Sequence, residues 1–140
     1  LHRVDRRQRQ MCIRDSDTAV ARLYGYDYDI IHSSKDLTNE IESMITSAEI
    51  PYKRGIHWTT DAGYRETWGQ VMDYRDKGAL CVEMEGVGLF TIANYRKCVA
   101  TGIYVVSDVY SENDWKLGWE GNDIKRAVGA VIDMIIESIR

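Results

Sequence analysis

Along this chain, short apolar runs that suit strands are separated by stretches of helical periodicity. Leu37, Ile41, Met44, Ile45 and Ala48 follow the i, i+4, i+7, i+8 spacing of an amphipathic helix. Ser33, Ser34 and Asp36 supply cap candidates and first-turn charge, and Pro51 supplies the stop. Residues 52–59 then read as a strand. The polar turn 60–67 leads into a helix through Trp68, Val71, Met72 and Arg75, closed by Gly78. Residues 79–84 (Ala-Leu-Cys-Val-Glu-Met) and the longer run 99–106 predict two buried strands. Between them Leu89, Phe90, Ile92, Ala93 and Tyr95 recur at helical spacing, with Gly86 and Gly88 at the start of that helix. Ile124, Ala127, Val128, Val131, Ile132, Ile135, Ile136 and Ile139 form the wide stripe of a last packing helix after the cap candidate Asn122. The pattern is weaker near the start. There Asp17 to Gly25 suits a short helix or an unravelled remnant, and Tyr28 to His32 a strand.

The strand, helix, strand order at 79–106 has a chemical consequence. A crossover of this length returns the chain parallel, so both carboxyl ends should lie on the side of the sheet where α/β proteins bind ligands. Glu85 and Asp108 follow those ends and are expected on one rim. Two carboxylates there suit cleavage of a glycosidic bond. The transition state is oxocarbenium-like, so one carboxylate near the sugar stabilises positive charge while a protonated acid improves the leaving group. Each acid also has a plainer reading by itself. An acid after a buried strand is commonly a helix cap, as Glu85 would be, and Asp108 alone is a loop acid.

Composition narrows the class. With 140 residues, 44% of them hydrophobic, and a single proline, the chain suits one α/β domain large enough to bury a core. No run approaches the roughly 18 apolar residues of a membrane span, and the start lacks the apolar stretch of a signal peptide, so a cytoplasmic protein without membrane partners is expected. Cys12, Cys81 and Cys98 are odd in number and lack metal-type spacing; they read as buried free thiols of a reducing compartment. His32 and His57 have no partner at metal spacing and read as surface or strand histidines, so no metal or cofactor is expected. Trp58 and Trp68 read as core, and Trp115 and Trp119 as loop aromatics able to close over a ligand.

Charge changes how the first segment is read. Residues 1–14 hold five arginines against Asp5, a local +4, so the remaining chain carries −8 of the formal −4. A basic arm for nucleic acid would need interleaved aromatics and a binding fold behind it, and neither is present. The run from Arg6 to Ser16 looks like a translated sequencing-adapter tail. Residues 1–16 are therefore expected to be a non-native basic tail, and 17–140 the domain.

Three motifs in order carry a specific resemblance: Gly55-Ile-His-Trp-Thr-Thr-Asp61-Ala-Gly-Tyr-Arg-Glu-Thr67, Gly78-Ala-Leu-Cys-Val-Glu-Met-Glu85 and Val105-Val-Ser-Asp108. Together they resemble the purine nucleoside and uridine phosphorylase family, which also includes nucleosidases. The resemblance runs from about residue 30 to the C-terminus and covers the C-terminal half of a family member. It implies a partial three-layer α/β/α fold with a central mixed sheet, truncated at the N-terminal side. The family's Gly-rich loop and phosphate-holding arginines lie mostly in the half that is missing.

The resemblance also implies roles. The residue matching Glu85 holds the ribose 2′ and 3′ hydroxyls, and the one matching Met84 packs on the sugar. Val82 and Glu83 line the base and sugar pocket. Asp108, beside Ser107, protonates the leaving base, which requires that it hold or receive a proton at neutral pH. Tyr64 and Arg65 contact the base or fix a helix start. At Gly63 the sequence departs from the family, many members of which carry an aromatic residue that stacks on the base. The implied activity is phosphorolysis of purine nucleosides or uridine to free base and (deoxy)ribose 1-phosphate, with inorganic phosphate as co-substrate, in a homo-oligomeric parent. Two alternatives stay open, a hydrolytic nucleosidase of the methylthioadenosine/adenosylhomocysteine or AMP type and a non-catalytic truncated fragment. The fragment itself is expected to be inactive.

Overall fold

The computed structural model describes residues 12–15, 18–26, 30–111, 114–117 and 122–140; at 12–15, 110–111 and 114–117 only the backbone is described. The chain divides into two compact units, residues 1–38 with 53–102 and residues 39–52 with 103–140.

The first unit is built on a four-stranded sheet. Its strands are β1 (Cys12–Asp15), β2 (Ile30–His32), β3 (Ile56–Thr59) and β4 (Ala79–Glu83), in the order β2-β1-β3-β4. β1, β3 and β4 run parallel, and β2 pairs antiparallel with β1, so the sheet is mixed as the resemblance implies. Residues 12–15, which the sequence places in an out-of-character tail, supply the strand between β2 and β3. The tail's residues 1–11 and 16 lie outside the described residues.

Alternation along β3 puts helices on both faces. Trp58 stacks on Tyr74 of α3 (Trp68–Asp76), with ring centroids 4.3 Å apart and planes 11° apart. His57 points the other way and meets Phe90 of α4 (Gly86–Arg96) edge to face at 6.2 Å. Because neighbouring strand residues face opposite sides, these two contacts define three layers, α/β/α. On the α4 face, Val87 and Phe90 form a core with Ile31 of β2 and Ala21 of α1 (Val20–Leu23), flanked by Tyr26 and Ala100.

Local chemistry sets the helix ends. Thr67 caps α3 in a capping box: its hydroxyl accepts from the Gln70 N–H, and the Gln70 side chain accepts from the Thr67 N–H. After α3 the chain turns at Gly78 with φ +94°, a left-handed conformation that glycine adopts without strain. Trp68 departs from the core expectation. It occupies the first helical position, at the surface, and is 38% exposed, whereas Tyr74 two turns on is buried.

The expected strand at 99–106 does not form. Ala100 instead exchanges both backbone groups with Ser34. The Ser34 N–H donates to the Ala100 carbonyl at 2.7 Å, and the Ala100 N–H donates to the Ser34 hydroxyl at 2.8 Å. The hydroxyls of Thr38 and Thr101 add a 2.8 Å link. An apolar run has no ladder of its own, and here Ser34, at the polar start of the helix that follows β2, takes hydrogen bonds of the kind a neighbouring strand would have taken.

That helix, α2 (Lys35–Ser47), crosses from the first unit into the second. It ends before Pro51, with Glu49 left-handed at φ 53° and the Ile50 N–H returning to the Ile45 carbonyl at 3.1 Å. Tyr52 then donates to Glu42 at 2.9 Å. The second unit also holds the hairpin of β5 (Asp108–Ser111) and β6 (Asp114–Leu117) and the helix α5 (Asn122–Ser138). Of the predicted stripe, Ile124, Ala127, Val131 and Ile135 are half-buried while Val128, Ile132, Ile136 and Ile139 are exposed; the buried residue of α5 is Met134, outside that stripe. Among the described residues no helix is long and apolar enough to cross a membrane.

Candidate functional site

The parallel pairing of β3 and β4 brings their carboxyl ends to one edge of the sheet, where α/β proteins place ligands. Two turns leave from that edge. One runs from Thr60 into a single 3-10 turn at Gly63–Arg65, and the other runs through Met84 and Glu85 into α4. They are tied where they start, because the Thr60 N–H donates to the Glu83 carbonyl at 2.9 Å.

Glu83 is the hub of the second turn. It is the register partner of Thr59, and a register shift between Ile56 and Trp58 precedes that pair. His57, Thr59 and Glu83 therefore share one face of the sheet. His57 Nδ1 donates to Glu83 Oε1 at 3.0 Å, and the Thr59 hydroxyl donates to the same oxygen. Oε2 accepts from the backbone N–H of Glu85 at 2.8 Å and of Gly86 at 2.6 Å. Thr59 Oγ1 also accepts from the Val87 N–H at 3.3 Å. The amides of Glu85, Gly86 and Val87 are thus satisfied by β3 and β4 side chains, which meets the requirement of a helix N-terminus.

This environment decides the ionisation of Glu83. Its side chain is 7% exposed and that of His57 is 2% exposed. Burial pushes the carboxyl upward, but the bonds from His57, Thr59 and the amides of Glu85 and Gly86 outweigh it and hold it below its ordinary value. Glu83 is therefore an anion at neutral pH. Cys81, on the same strand, is pushed up by burial and by the Glu83 charge, so it stays a protonated thiol.

Glu85 occupies the N-cap position of α4, but its side chain does not cap the helix; Glu83 does that instead. The exposed Glu85 carboxylate accepts the Met84 N–H on Oε2 at 3.1 Å. Met84 beside it is 53% exposed. A carboxylate and a thioether side by side on a fixed turn offer a hydrogen-bond acceptor for hydroxyls and an apolar contact for a ring. Val82 is half-buried in the ladder opposite Trp58. Tyr64 is 92% exposed on the neighbouring turn, with Arg65 also exposed.

Ser107 and Asp108 belong to the second unit. The Ser107 hydroxyl donates to Asp108 Oδ2 at 2.7 Å. Asp108 opens β5 rather than following the end of a strand, which corrects the expectation built on a strand at 99–106. The side chains of Trp115 and Trp119, expected to close over a ligand, lie outside the described residues.

The bonds from His57 and Thr59 to Glu83 were missed in the sequence, where His57 reads simply as a strand histidine. A period-2 pattern does place both residues on one face of β3. Only the cross-strand register, which includes a shift, places Glu83 opposite them.

Comparison with known proteins agrees with this architecture. The family model of the phosphorylase superfamily matches residues 11–137. Two relatives, both described as purine nucleoside phosphorylase DeoD-type, are 33% identical over 87 residues. One is from Exiguobacterium sp. (strain ATCC BAA-1283 / AT1b) and the other from Exiguobacterium sibiricum. Each match covers 62% of this chain but only 36% and 37% of the respective relative, so the chain matches little more than a third of their length.

Proposed function

Because this chain belongs to the phosphorylase superfamily, we propose that it is the C-terminal portion of a nucleoside phosphorylase, and that its Met84–Glu85 turn holds the pentose. The observation that carries this reading is the exposed Glu85 carboxylate beside the exposed Met84, on a turn pinned at the carboxyl edge of parallel strands. The shared description of the two Exiguobacterium relatives favours a purine nucleoside over uridine.

In this reading Glu85 accepts hydrogen bonds from the ribose 2′ and 3′ hydroxyls, and its charge stabilises the oxocarbenium-like centre at C1′. Val82, Tyr64 and Arg65 line the base and sugar side. Inorganic phosphate, the co-substrate, forms the new bond to C1′. The C1′–N bond breaks with its electron pair passing to the base, and Asp108, oriented by Ser107, delivers the proton that makes the base a neutral leaving group. The products are free base and ribose 1-phosphate.

The experiment is Asp108→Asn in the full-length parent, assayed with inosine and phosphate. The expected result is a kcat at least 100-fold lower with KM changed less than threefold. An unchanged kcat contradicts the acid role.

A further inference from the structure

We infer that His57 is a positioning residue for the pentose-binding turn: it orients the Glu83 carboxylate, and Glu83 in turn fixes the backbone from which Met84 and Glu85 project. The inference rests on the proposal that this turn holds the pentose.

The argument begins with the acceptor capacity of Glu83. An ionised carboxylate offers about four lone-pair sites. Here four donors take them: His57 Nδ1, the Thr59 hydroxyl, and the N–H groups of Glu85 and Gly86. With both oxygens occupied and the side chain inside the protein, Glu83 acts through the turn rather than on a ligand. The two oxygens divide the work. Oε1 is anchored to β3 by His57 and Thr59, while Oε2 holds the two amides that flank the Glu85 side chain. Loosening the anchor on Oε1 rotates the carboxylate and frees those amides. A displacement of about 1 Å at a positioned group is worth about 100-fold in productive geometry.

His57 suits this role because an ionised carboxylate only accepts, so Nδ1 at 3.0 Å must be the donor, and its ring meets Phe90 of the helix it helps to start edge to face. Thr59 supplies the second anchor and also accepts from Val87, so the two β3 side chains tie both the turn and the first turn of α4 to the sheet. Nothing in this arrangement requires His57 to meet the ligand.

Two near-isosteric substitutions separate positioning from space filling. In His57→Asn the side-chain amide nitrogen sits where Nδ1 was; in His57→Gln it sits where Nε2 was. The experiment titrates inosine into the ¹⁵N-labelled 140-residue chain and its two variants, following the Glu85 and Gly86 amide resonances. The expected result is that His57→Asn binds within threefold of the unsubstituted chain, whereas His57→Gln binds at least tenfold more weakly. Equal affinities for the two variants, high or low, overturn the positioning role while leaving the pentose reading standing. Absence of any inosine-dependent shift in the unsubstituted chain overturns the pentose reading, and the positioning role with it. Unfolding of one variant alone is scored on the free chains: the Gly86 amide shift of His57→Asn is expected to match that of the unsubstituted chain, and a mismatch overturns the proposal.

Discussion

His57 Nδ1 and Glu83 Oε1 lie 3.0 Å apart inside the first unit, joining a β3 side chain to the carboxylate that caps α4. The pair makes stability depend on acid. Because the folded protein lowers the Glu83 pKa below its ordinary 4.5, the folded state binds fewer protons there than the unfolded chain. The stabilisation is fully present above the unfolded value and is lost as pH falls through the folded one. Glu83→Gln is expected to cost about 2–4 kcal/mol at pH 7, since buried donors lose a charged acceptor. Urea denaturation checks the sign. The gap between the two proteins should narrow steadily below pH 4.5, and a gap that is constant down to pH 3 would show that the charge is not what matters.

Trp58, inside the first motif, and Trp68, just after it, differ in weight. Trp58 is 2% exposed and stacked on Tyr74, whereas Trp68 sits at the exposed start of α3. Trp58→Ala should cost about 3–5 kcal/mol, and Trp68→Ala less than about 1 kcal/mol. Thermal unfolding with near-ultraviolet circular dichroism separates them, and equal losses would contradict the three-layer packing.

At the start of the same helix the Thr67 capping box predicts a smaller effect. Thr67→Ala removes the acceptor for the Gln70 N–H and should cost about 1 kcal/mol. Thr67→Ser, which keeps the hydroxyl, should cost a few tenths of that. Denaturant midpoints at fixed m-value give the comparison.

Gly63 offers a gain of function. Among the described residues, a Cβ added there would meet the Glu66 carboxylate alone, at 3.5 Å, an ordinary contact. Gly63→Phe should therefore leave the fold intact. An aromatic ring at this position should tighten inosine binding about 2- to 10-fold if it stacks on the base. Calorimetric titration measures it, and weaker binding would place the base elsewhere.

Much of this architecture is legible in the residues. The helices expected over Leu37 to Ala48, Leu89 to Tyr95 and the α5 stripe, and the strand Ala79–Glu83, form where the apolar pattern places them, although Leu89, Ile92, Tyr95 and half of the α5 stripe are exposed, and stops such as Pro51 and Gly78 act locally. What escaped depends on partners distant in sequence. Residues 99–106 are as apolar as a strand, yet Ala100 finds Ser34 instead of a ladder. Residues 12–15 have no strand pattern of their own but fill a gap between β2 and β3. In the candidate site, Met84 and Glu85 stood out by their place after an apolar run. The tie from His57 and Thr59 to Glu83 could not, because a one-residue shift in register would send Glu83 to the other face.

Pentosyl transfer is the central claim, and phosphate dependence tests it most directly. The full-length parent is incubated with inosine in phosphate buffer and in phosphate-free buffer, with free base and ribose 1-phosphate quantified. The predicted result is equimolar hypoxanthine and ribose 1-phosphate in phosphate, with base release at least 100-fold slower without it. Equal release of base in both buffers, with free ribose as the sugar product, would contradict phosphorolysis and identify water as the acceptor.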